Sequence, residues 1–227
     1  MEYSGWELEF FDTAKNYRAY QYKLLKSFIK KTILEVGPGN AIIMEKYIYK
    51  SDLDIVLTEL NNTFFEKINN KFSTKDNVKV YNSKIDTIQK KFQTIIYLDV
   101  LEHIENYEEE ILKAYSKLED NGYLVFMVPA YQHLYSEYDK EIGHYRRFNK
   151  KFFKDFSKKN KIKCKKLIYF DSIGYLFLLV NKILRLQNIK YVGSGTKIWN
   201  FLIPLSKILD KLLMHSCGKS LLCVYTK

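Results

Sequence analysis

The chain has 227 residues, which is long enough to bury a full hydrophobic core and favours one domain. Its 47% hydrophobic and 16% aromatic residues exclude a disordered chain. The 37 Lys and Arg exceed the 26 Asp and Glu, and the net charge of +11 favours an anionic partner such as nucleic acid, an acidic membrane surface or a phosphorylated substrate. Most lysines are scattered over predicted helix faces, as on a solvated surface, and no aromatic-basic module is recognisable, so we expect no nucleic-acid partner.

The three cysteines, Cys164, Cys217 and Cys223, are odd in number and lack C-x-x-C spacing. This pattern predicts neither a disulfide framework nor a zinc site, and it is typical of the reducing cytoplasm. The first residues are acidic and include no apolar segment, so we expect no signal peptide and a cytoplasmic protein.

Residues 5 to 31 have a helical pattern in which aromatic positions precede apolar ones. The aromatic positions are Trp6, Phe10, Phe11, Tyr17 and Tyr20, and the apolar positions are Leu24, Leu25 and Phe28.

The segment from Ile33 to Asn40 predicts a strand, a tight glycine turn and a helix. Gly37 and Gly39 allow a sharp turn and the close approach of a ligand to the backbone. Asn40 is expected to cap the helix that follows, whose free N–H groups can bind an anion. Glu35 lies two residues before the first glycine, where it can meet an ammonium group.

A second acid, Glu59, followed by Leu60, ends the next apolar run, as expected for a carboxylate that accepts hydrogen bonds from ribose hydroxyls. A dinucleotide fingerprint that starts at Gly37 needs a third glycine where this chain has Ile42. A nicotinamide-dependent oxidoreductase is therefore the weaker alternative. Two glycines and two acids indicate instead a nucleoside that carries an amino-acid tail.

Strand and helix patterns alternate through the rest of the chain and predict a doubly wound α/β sheet. Helices are predicted over 61–71, from Asn106 onward, over 173–186 and over 198–214, and strands over 78–81, 92–98, 123–129, 162–170 and 221–225. Residues 120–122 predict a turn before the strand at 123, and residues 192–196 a loop between the last two helices. A polar cluster follows the strand at 92–98, at the position where open α/β sheets bind ligands.

The two predicted helices between 173 and 214 are strongly apolar. Charged residues and Pro204 interrupt them, so we expect no transmembrane helix. Three interpretations remain open for this insertion: additional core, a homodimer face, or a peripheral contact with a membrane.

Together, the run E-V-G-P-G over 35–39 and the acid Glu59 after the second strand resemble the first motifs of class I S-adenosylmethionine-dependent methyltransferases. The resemblance implies a Rossmann-like sheet of seven strands in the order 3-2-1-4-5-7-6, with the last strand antiparallel. It also implies that the N-terminal helical segment lies over the cofactor as a lid, with Tyr17 and Tyr20 as lid candidates. The cofactor-binding residues that it implies are Tyr17, Glu35, Gly37, Gly39, Glu59, Leu60, Ser83, Ile85, Asp99 and Val100.

The run from Asp99 to His103 also resembles a segment of methyltransferases close to the ubiquinone-biosynthesis O-methyltransferases. In that interpretation Asp99, Glu102 and His103 hold a divalent ion. We favour the alternative without a metal, in which Asp99 and Val100 line the cofactor while Glu102 and His103 cap the following turn.

Residues 130–148 form a long loop, and such loops are often functional. With Pro129 they resemble the P-A-x-x-x-L-Y-S-x-x-D-x-x-x-G-H-Y-R-R-Y signature of a bacterial methyltransferase subgroup associated with glycosyltransferases of surface-polysaccharide synthesis. Methyl transfer needs a positioned nucleophile and often a base. The catalytic candidates are His144 as the base, Asp139 as its orienting partner, and Arg146 and Arg147 as a clamp for a phosphate or carboxylate of the acceptor.

We therefore expect a methyltransferase that uses S-adenosylmethionine and acts on an oxygen or nitrogen acceptor, such as a sugar or a lipid-linked saccharide. A catalytically degenerate, membrane-associated scaffold is the alternative that is not an enzyme. We expect one domain over residues 1–227, with a helical lid (1–31), a cofactor-binding core (32–170), an apolar helical insertion (171–216) and the last strand (217–227). For residues 173–214, a peripheral contact with the inner membrane face and a homodimer face both remain open beside additional core.

Overall fold

The computed structural model describes Gly5, residues 8–184 and residues 192–227. At its centre is a sheet of seven strands, with the bounds β1 Thr32–Val36, β2 Asp54–Thr58, β3 Val78–Tyr81, β4 Phe92–Leu98, β5 Leu118–Pro129, β6 Lys163–Phe170 and β7 Ser220–Thr226. The strand order is β3-β2-β1-β4-β5-β7-β6, in which β7 is antiparallel to both neighbours and the other pairs are parallel. This order confirms the fold that the resemblance implies.

The α-helices are α1 Leu8–Thr13, α2 Lys15–Leu25, α3 Asn62–Phe72, α4 Tyr107–Ser116, α5 Glu137–Glu141, α6 Lys150–Lys159, α7 Ser172–Ile183 and α8 Val192–Leu212. The N-terminal helical pattern is thus split between α1 and α2, and Trp6 lies outside the described residues, as do positions 185 and 186 of the predicted helix at 173–186. The predicted loop at 192–196 is wrong, because α8 already begins at Val192. Burial of Trp199 and Ile203 in the core stabilises this helix despite its two early glycines.

Two apolar cores lie on opposite faces of the sheet. Ile33 and Leu34 of β1 are both fully buried. Because successive side chains of a strand point to opposite faces, Ile33 joins the core that contains α2, α3 and α8, whereas Leu34 joins the core that contains α4 and α6. Burial on both faces explains the continuous apolar run of this parallel strand.

The carboxyl ends of the parallel strands bring the polar candidates to one edge of the sheet. Gly37 follows β1, and its N–H donates to the carbonyl of Thr58 at 2.8 Å. Glu59 follows β2, and Asp99 follows β4, where its N–H donates to the carbonyl of Met127 at 2.8 Å. Backbone hydrogen bonds therefore continue past the strand ends and hold these residues in place.

The predicted helix cap at Asn40 is wrong. Ala41 follows it in the left-handed region, with φ of 54°, and only a short helical turn and the π-helical turn Met44–Ile48 come next. The Asn40 amide nitrogen donates to Asp12 Oδ2 of α1 at 2.6 Å, while its Oδ1 has no hydrogen-bond partner among the described residues. Asn40 thus ties the glycine turn to α1 instead of capping a helix.

The predicted turn at residues 120–122 is also placed differently. β5 already begins at Leu118, which pairs with Phe92, and the register shifts before Tyr123 pairs with Thr94. Asn121 occupies the left-handed region, with φ of 61°. A bulge within a long strand therefore takes the place of a turn before a short one.

A buried carboxylate fastens α8 to the N-terminal helices. Asp210 accepts hydrogen bonds from the hydroxyl of Tyr20 at 2.7 Å and from the backbone N–H groups of Asp171 and Ser172 at 2.6 and 2.8 Å. The side chain of Tyr20 is thereby directed into the junction of α2 with α8. The prediction that Tyr20 is a lid residue over the cofactor is wrong.

We expect Asp210→Asn to lower the free energy of unfolding by about 2 kcal/mol. The side-chain amide would turn its own N–H donors toward the hydroxyl and N–H groups that now donate to the carboxylate. Urea denaturation followed by circular dichroism measures this change. Asp155→Asn is the matched control, because Asp155 forms an exposed ion pair with Lys151, and it should leave stability nearly unchanged. Equal losses in the two variants would contradict a special role for Asp210.

Candidate active site

A cleft of about 960 Å³ lies at the carboxyl ends of β1, β2, β4 and β5. Its volume is typical of small-molecule sites. The candidates that line it are Tyr17, Glu35, Gly37, Gly39, Glu59, Leu60, Ser83, Ile85, Asp99, Val100, Asp139, His144 and Arg147. The topology therefore brings the candidates for cofactor binding and those for catalysis to the same cavity.

The glycine turn forms one wall of this cleft. Gly37 and Gly39 have φ of 64° and 55°, in the left-handed region that side chains disfavour. A Cβ at Gly37 would lie 3.0 Å from both methyl groups of Val100, and one at Gly39 would lie 2.9 Å from Leu8 Cδ1. The backbone conformation thus favours glycine at both positions, and at Gly37 the packing of Val100 leaves little room for a side chain.

The carboxylate of Glu59 is held by the backbone around it. Its Oε2 accepts a hydrogen bond from Gly39 N at 3.1 Å, and its Oε1 accepts one from Asn61 N at 2.9 Å. Burial raises the pKa of Glu59, against the opposing effect of these backbone donors. The side chain links the ends of β1 and β2, and each oxygen keeps a further acceptor position for a ligand.

Glu35 is the carboxylic acid at the bottom of the cleft. It is 3% exposed, and its Oε2 has no hydrogen-bond partner among the residues that the structure describes. Burial raises the pKa of Glu35 to about 7, although the positive charge of Arg18 partly opposes this rise. A buried carboxyl oxygen without a partner is costly, and a cationic ligand group would compensate it.

Tyr17 lines the cleft from α2. Its hydroxyl lies 3.0 Å from Ser220 Oγ at the start of β7, and its ring stacks against Phe170 and contacts Trp199. The structure therefore makes Tyr17 both a wall of the cleft and part of the packing between α2 and α8. Its role over the cofactor stays a prediction.

The opposite end of the cleft contains Ser83, Ile85 and Asp86. Ile85 is buried, so its side chain presents an apolar surface, while Ser83 Oγ accepts a hydrogen bond from Thr87 at 2.9 Å. Asp86 forms an ion pair with Lys113 at 3.2 Å. The contacts of these residues with adenine stay a prediction.

His144 and Asp139 form a hydrogen-bonded pair in the loop after β5. His144 Nδ1 lies 2.9 Å from Asp139 Oδ1, and the same oxygen accepts hydrogen bonds from Arg147 Nε and Nη2 at 2.9 and 2.8 Å. Ser136 donates to the other oxygen through both its N–H and its hydroxyl. Burial alone would raise the pKa of Asp139, but the hydrogen bonds from His144 and Arg147 hold it below its usual value.

Glu102 approaches His144 from the side of the strand ends. Its Oε1 lies 3.8 Å from His144 Nε2, and within the described part of the chain neither carboxyl oxygen has a hydrogen-bond partner. Burial, together with repulsion from Asp99, raises the pKa of Glu102 well above its usual range. The prediction that Glu102 caps the following turn is therefore wrong.

Glu102, His103 and His144 can each present one ligand atom to a metal, and these three atoms lie within 4.8 Å of one another. Burial and the neighbouring His144 lower the pKa of His103 to about 3, so its imidazole is neutral at physiological pH, as metal binding requires. His144 takes the place that the sequence interpretation gave to Asp99. Our preference for a site without a metal stays a prediction.

Arg146 is absent from the residues that line the cleft. Its Nη1 donates to the carbonyl of Ile104 at 2.7 Å and to that of Glu105 at 3.2 Å, and its guanidinium lies 4.2 Å from the ring centroid of Tyr107. These loop contacts give no support to an acceptor clamp, and that role of Arg146 stays a prediction.

A family model described as a methyltransferase domain matches residues 10–160. The chain belongs to the methyltransferase-domain family. The matched residues include the glycine turn, Glu59 and the pair of His144 with Asp139. No curated protein matches the sequence of this methyltransferase at a significant level.

Three solved structures illustrate the similarity of the methyltransferase to known folds. The geranyl diphosphate C-methyltransferase from Streptomyces coelicolor A3(2), solved with Mg2+, geranyl diphosphate and S-adenosyl-L-homocysteine, has a TM-score of 0.66 at 11% identity and covers 99% of this chain and 86% of its own. A SAM-dependent methyltransferase from Archaeoglobus fulgidus has a TM-score of 0.61 at 15% identity and covers 94% of each chain. The N-methyltransferase NodS from Bradyrhizobium japonicum WM9, bound to S-adenosyl-L-homocysteine, has a TM-score of 0.58 at 11% identity and covers 93% of this chain and 85% of its own.

Two cations of the methyltransferase cleft were missed in the sequence. Arg18 donates to Gln21 Oε1 at 2.9 Å and lies 4.0 Å from Asp99 Oδ2. Lys219 is buried in the cleft wall, with its Nζ 4.0 Å from the ring centroid of Trp199, and burial lowers its pKa. The position of Arg18 directly after the lid candidate Tyr17 was a sequence feature that could have identified it as a cleft residue. Lys219 had no such feature, because its surroundings resemble only the end of an incomplete P-loop.

Proposed function

We propose that this chain transfers the methyl group of S-adenosylmethionine to an oxygen or nitrogen of an acceptor that lies beside His144. The observation that carries the proposal is a single cleft that contains both the glycine turn with its two acids and the pair of His144 with Asp139. We further propose that residues 1–227 act as one domain, with the lid, core, insertion and last strand divided as in the sequence analysis.

The residues of the cleft fit S-adenosylmethionine. Gly37 and Gly39 line the cleft without side chains, so a ligand can approach the backbone of the turn closely. The Oε2 atom of Glu35, which lacks a partner among the described residues, suits the ammonium group of the methionine end, and Glu59 suits the ribose hydroxyls. Arg18 is placed to hold the cofactor carboxylate. When bound, the cofactor supplies a methyl group on a positively charged sulfonium.

His144 has the geometry of a general base. Asp139 is ionised and can only accept hydrogen bonds, so the Nδ1 of His144 must carry the proton of their 2.9 Å contact. The lone pair of the neutral ring is then on Nε2, on the side of Glu102. Arg147 holds Asp139 in place, and this arrangement prepares His144 to remove a proton from the acceptor.

The acceptor class that we propose is a sugar or a lipid-linked saccharide. One support is the resemblance of residues 129–148 to the methyltransferase subgroup associated with surface-polysaccharide synthesis. The other support is the cleft wall, which includes Phe177 and Leu178 of α7 and Ile198 of α8. Such apolar side chains suit the lipid part of an acceptor. The similar solved structures include N- and C-methyltransferases, so they leave the methylated atom open.

We expect Glu59→Ala to weaken S-adenosylmethionine binding by about tenfold to fiftyfold, because it removes the acceptor of both the ribose hydroxyls and the turn N–H groups. Isothermal titration calorimetry measures the affinity. His144→Ala is the matched comparison and should change it by less than about twofold, because the imidazole serves the acceptor side. Equal losses in the two variants would contradict this division of roles.

Titration of the purified chain with S-adenosylmethionine and, separately, with reduced nicotinamide dinucleotide tests the proposal as a whole. We expect binding of the first compound alone. Binding of the second alone would support the oxidoreductase alternative. If neither compound binds, the result would support the scaffold alternative, in which the glycine turn only joins a strand to a helical turn. Screening of free and lipid-linked sugars for S-adenosylhomocysteine release then identifies the acceptor.

A further inference from the structure

The outer surface of α7 and α8 is unusually apolar for a surface exposed to solvent. Within the described part of the chain, fifteen large hydrophobic side chains are exposed, and eleven of them lie between Leu176 and Met214. On α8 they form a stripe, which we call the α8 stripe: Ile198, Phe201, Leu205, Ile208 and Leu212. Phe201 is 78% exposed and Leu212 is 73% exposed. Isolated surface hydrophobics are ordinary, but a continuous patch of this kind indicates an interaction site.

The spacing of the α8 stripe explains how one helix serves two surfaces. Successive stripe residues are three or four positions apart, so they share one face of the helix. The opposite face contains Trp199, Ile203 and the buried Asp210, which pack against the N-terminal helices and the sheet. The core contacts of α8 are thus made by the opposite face, and the fold of the chain does not require the stripe to be apolar.

The charges around the stripe indicate which partner it fits. Over residues 172–184 and 195–214 the charged side chains are those of Lys182, Lys197, Lys207, Lys211 and Asp210. Asp210 is fully buried with its three donors, so the exposed charge of this surface is positive. An apolar helix face flanked by lysines is typical of a helix that lies in the interface of an anionic membrane.

A second copy of the chain suits the same surface less well. Two α8 stripes packed against each other would bring lysines of both copies together, and the exposed residues of these two helices include no acid within the described ranges. An anionic lipid surface instead provides the negative charges that the lysines lack. The net charge of +11 further attracts the chain to such a surface.

The cleft opens beside this surface. Ile198 belongs to the α8 stripe, is 60% exposed and also lines the cleft, together with Phe177 and Leu178 of α7. Among the described residues, none of the helices combines the length and the apolar character that crossing a bilayer requires. We propose that the α8 stripe and its flanking lysines dock the chain on an anionic membrane surface, with the cleft mouth at the lipid interface. This proposal goes beyond the methyl-transfer function and does not depend on it.

Co-sedimentation of the full chain with vesicles tests the proposal. The probes are vesicles of phosphatidylcholine alone and vesicles that also contain phosphatidylglycerol, each at low and at high salt. We expect binding to the anionic vesicles and loss of this binding at high salt, because ions screen the lysines. Equal binding to neutral and anionic vesicles would overturn the proposal, and so would an absence of binding to both.

Matched variants identify the surface. Phe201→Ser should weaken vesicle binding tenfold or more, because it removes the most exposed aromatic side chain of the stripe. Replacing Lys197 and Lys211 together by glutamine should weaken it by about fivefold for each lysine. The controls are Leu112→Ser and the double replacement of Lys151 and Lys159 by glutamine, which alter exposed positions on α4 and α6.

The controls should bind vesicles within about twofold of the original chain. Each variant is also titrated with S-adenosylmethionine without vesicles, which measures the cleft and the fold independently of lipid. Unchanged vesicle binding by Phe201→Ser would overturn the proposal. A dimer in light scattering that Phe201→Ser converts to a monomer, without any vesicle binding, would assign the stripe to a second copy of the chain.

Discussion

Replacing His144 by alanine is expected to lower kcat for methyl transfer by about 100-fold to 10,000-fold while the affinity for S-adenosylmethionine stays within about twofold. The imidazole is the group whose lone pair can take the acceptor proton, since Asp139 fixes the Nδ1 proton by a 2.9 Å contact. Asp139→Asn should lower kcat as well. An amide can donate or accept a hydrogen bond, so it no longer selects the tautomer of His144 with the proton on Nδ1. S-adenosylhomocysteine release with the acceptor found by screening measures both effects.

His133 provides the matched control for this experiment. It lies in the same loop and is exposed, and it is absent from the cleft lining, so His133→Ala should leave kcat within about threefold. A variant without His144 that keeps full kcat would remove the base from the proposed mechanism.

The sheet and its cofactor side could be predicted from the sequence because their signals are local. The glycines at 37 and 39 adopt the left-handed conformation that the turn requires, and a short helical segment and one apolar strand separate them from Glu59. Alternating strand and helix patterns limited the topology to a doubly wound sheet, and the resemblance supplied the order of the last strands. Contacts between neighbouring strand ends then placed these residues together.

The catalytic side was harder to predict because it depends on which way each loop side chain points. Arg146 and Arg147 are adjacent, yet Arg146 bonds the backbone carbonyl of Ile104 whereas Arg147 bonds the carboxylate of Asp139. The backbone of the loop decides this, through the pairing of Phe148 with Ala130, which no local pattern shows. The helix cap predicted at Asn40 was wrong for a similar reason, because the side chain of Asn40 donates instead to Asp12 of α1.

Glu102 and Lys219 show the limit of a reading based on residue type. In the sequence Glu102 suits a turn cap, and Lys219 resembles only the end of an incomplete P-loop. In the structure the end of β4 buries Glu102, and three aromatic rings surround Lys219. Burial of a charged group results from contacts between segments far apart in the chain, so its chemical consequences become visible only in three dimensions.

Glu35→Gln is expected to stabilise the free protein and to weaken its binding of S-adenosylmethionine. The pKa of Glu35 in the folded chain is about 7, above its unfolded value of 4.5. The wild-type chain therefore loses stability as the pH rises from 4.5 to 7, because burial opposes ionisation, and the loss is complete above that range. An amide has no charge to bury, so near pH 8 the variant should be more stable by up to about 3 kcal/mol.

The effect on cofactor binding has the opposite sign. An ionised Glu35 can neutralise the ammonium group of the methionine end, so the affinity of the wild-type chain should fall as the pH decreases below about 7. Glu35→Gln should bind about tenfold to 100-fold more weakly near pH 8 and should lose this pH dependence. Urea denaturation and calorimetric titration at about pH 6 and pH 8 measure the two effects.

Glu45→Gln is the control, because Glu45 forms a partly exposed ion pair with Lys71 and should change stability by less than about 1 kcal/mol. If Glu35→Gln stabilises the chain but binds the cofactor normally, the buried carboxyl has a structural role and the ammonium contact must be sought elsewhere. If it weakens both stability and binding, Glu35 is ionised through a favourable contact in the folded state. Only higher stability together with weaker cofactor binding agrees with a buried acid whose ionised form is stabilised by the bound cofactor.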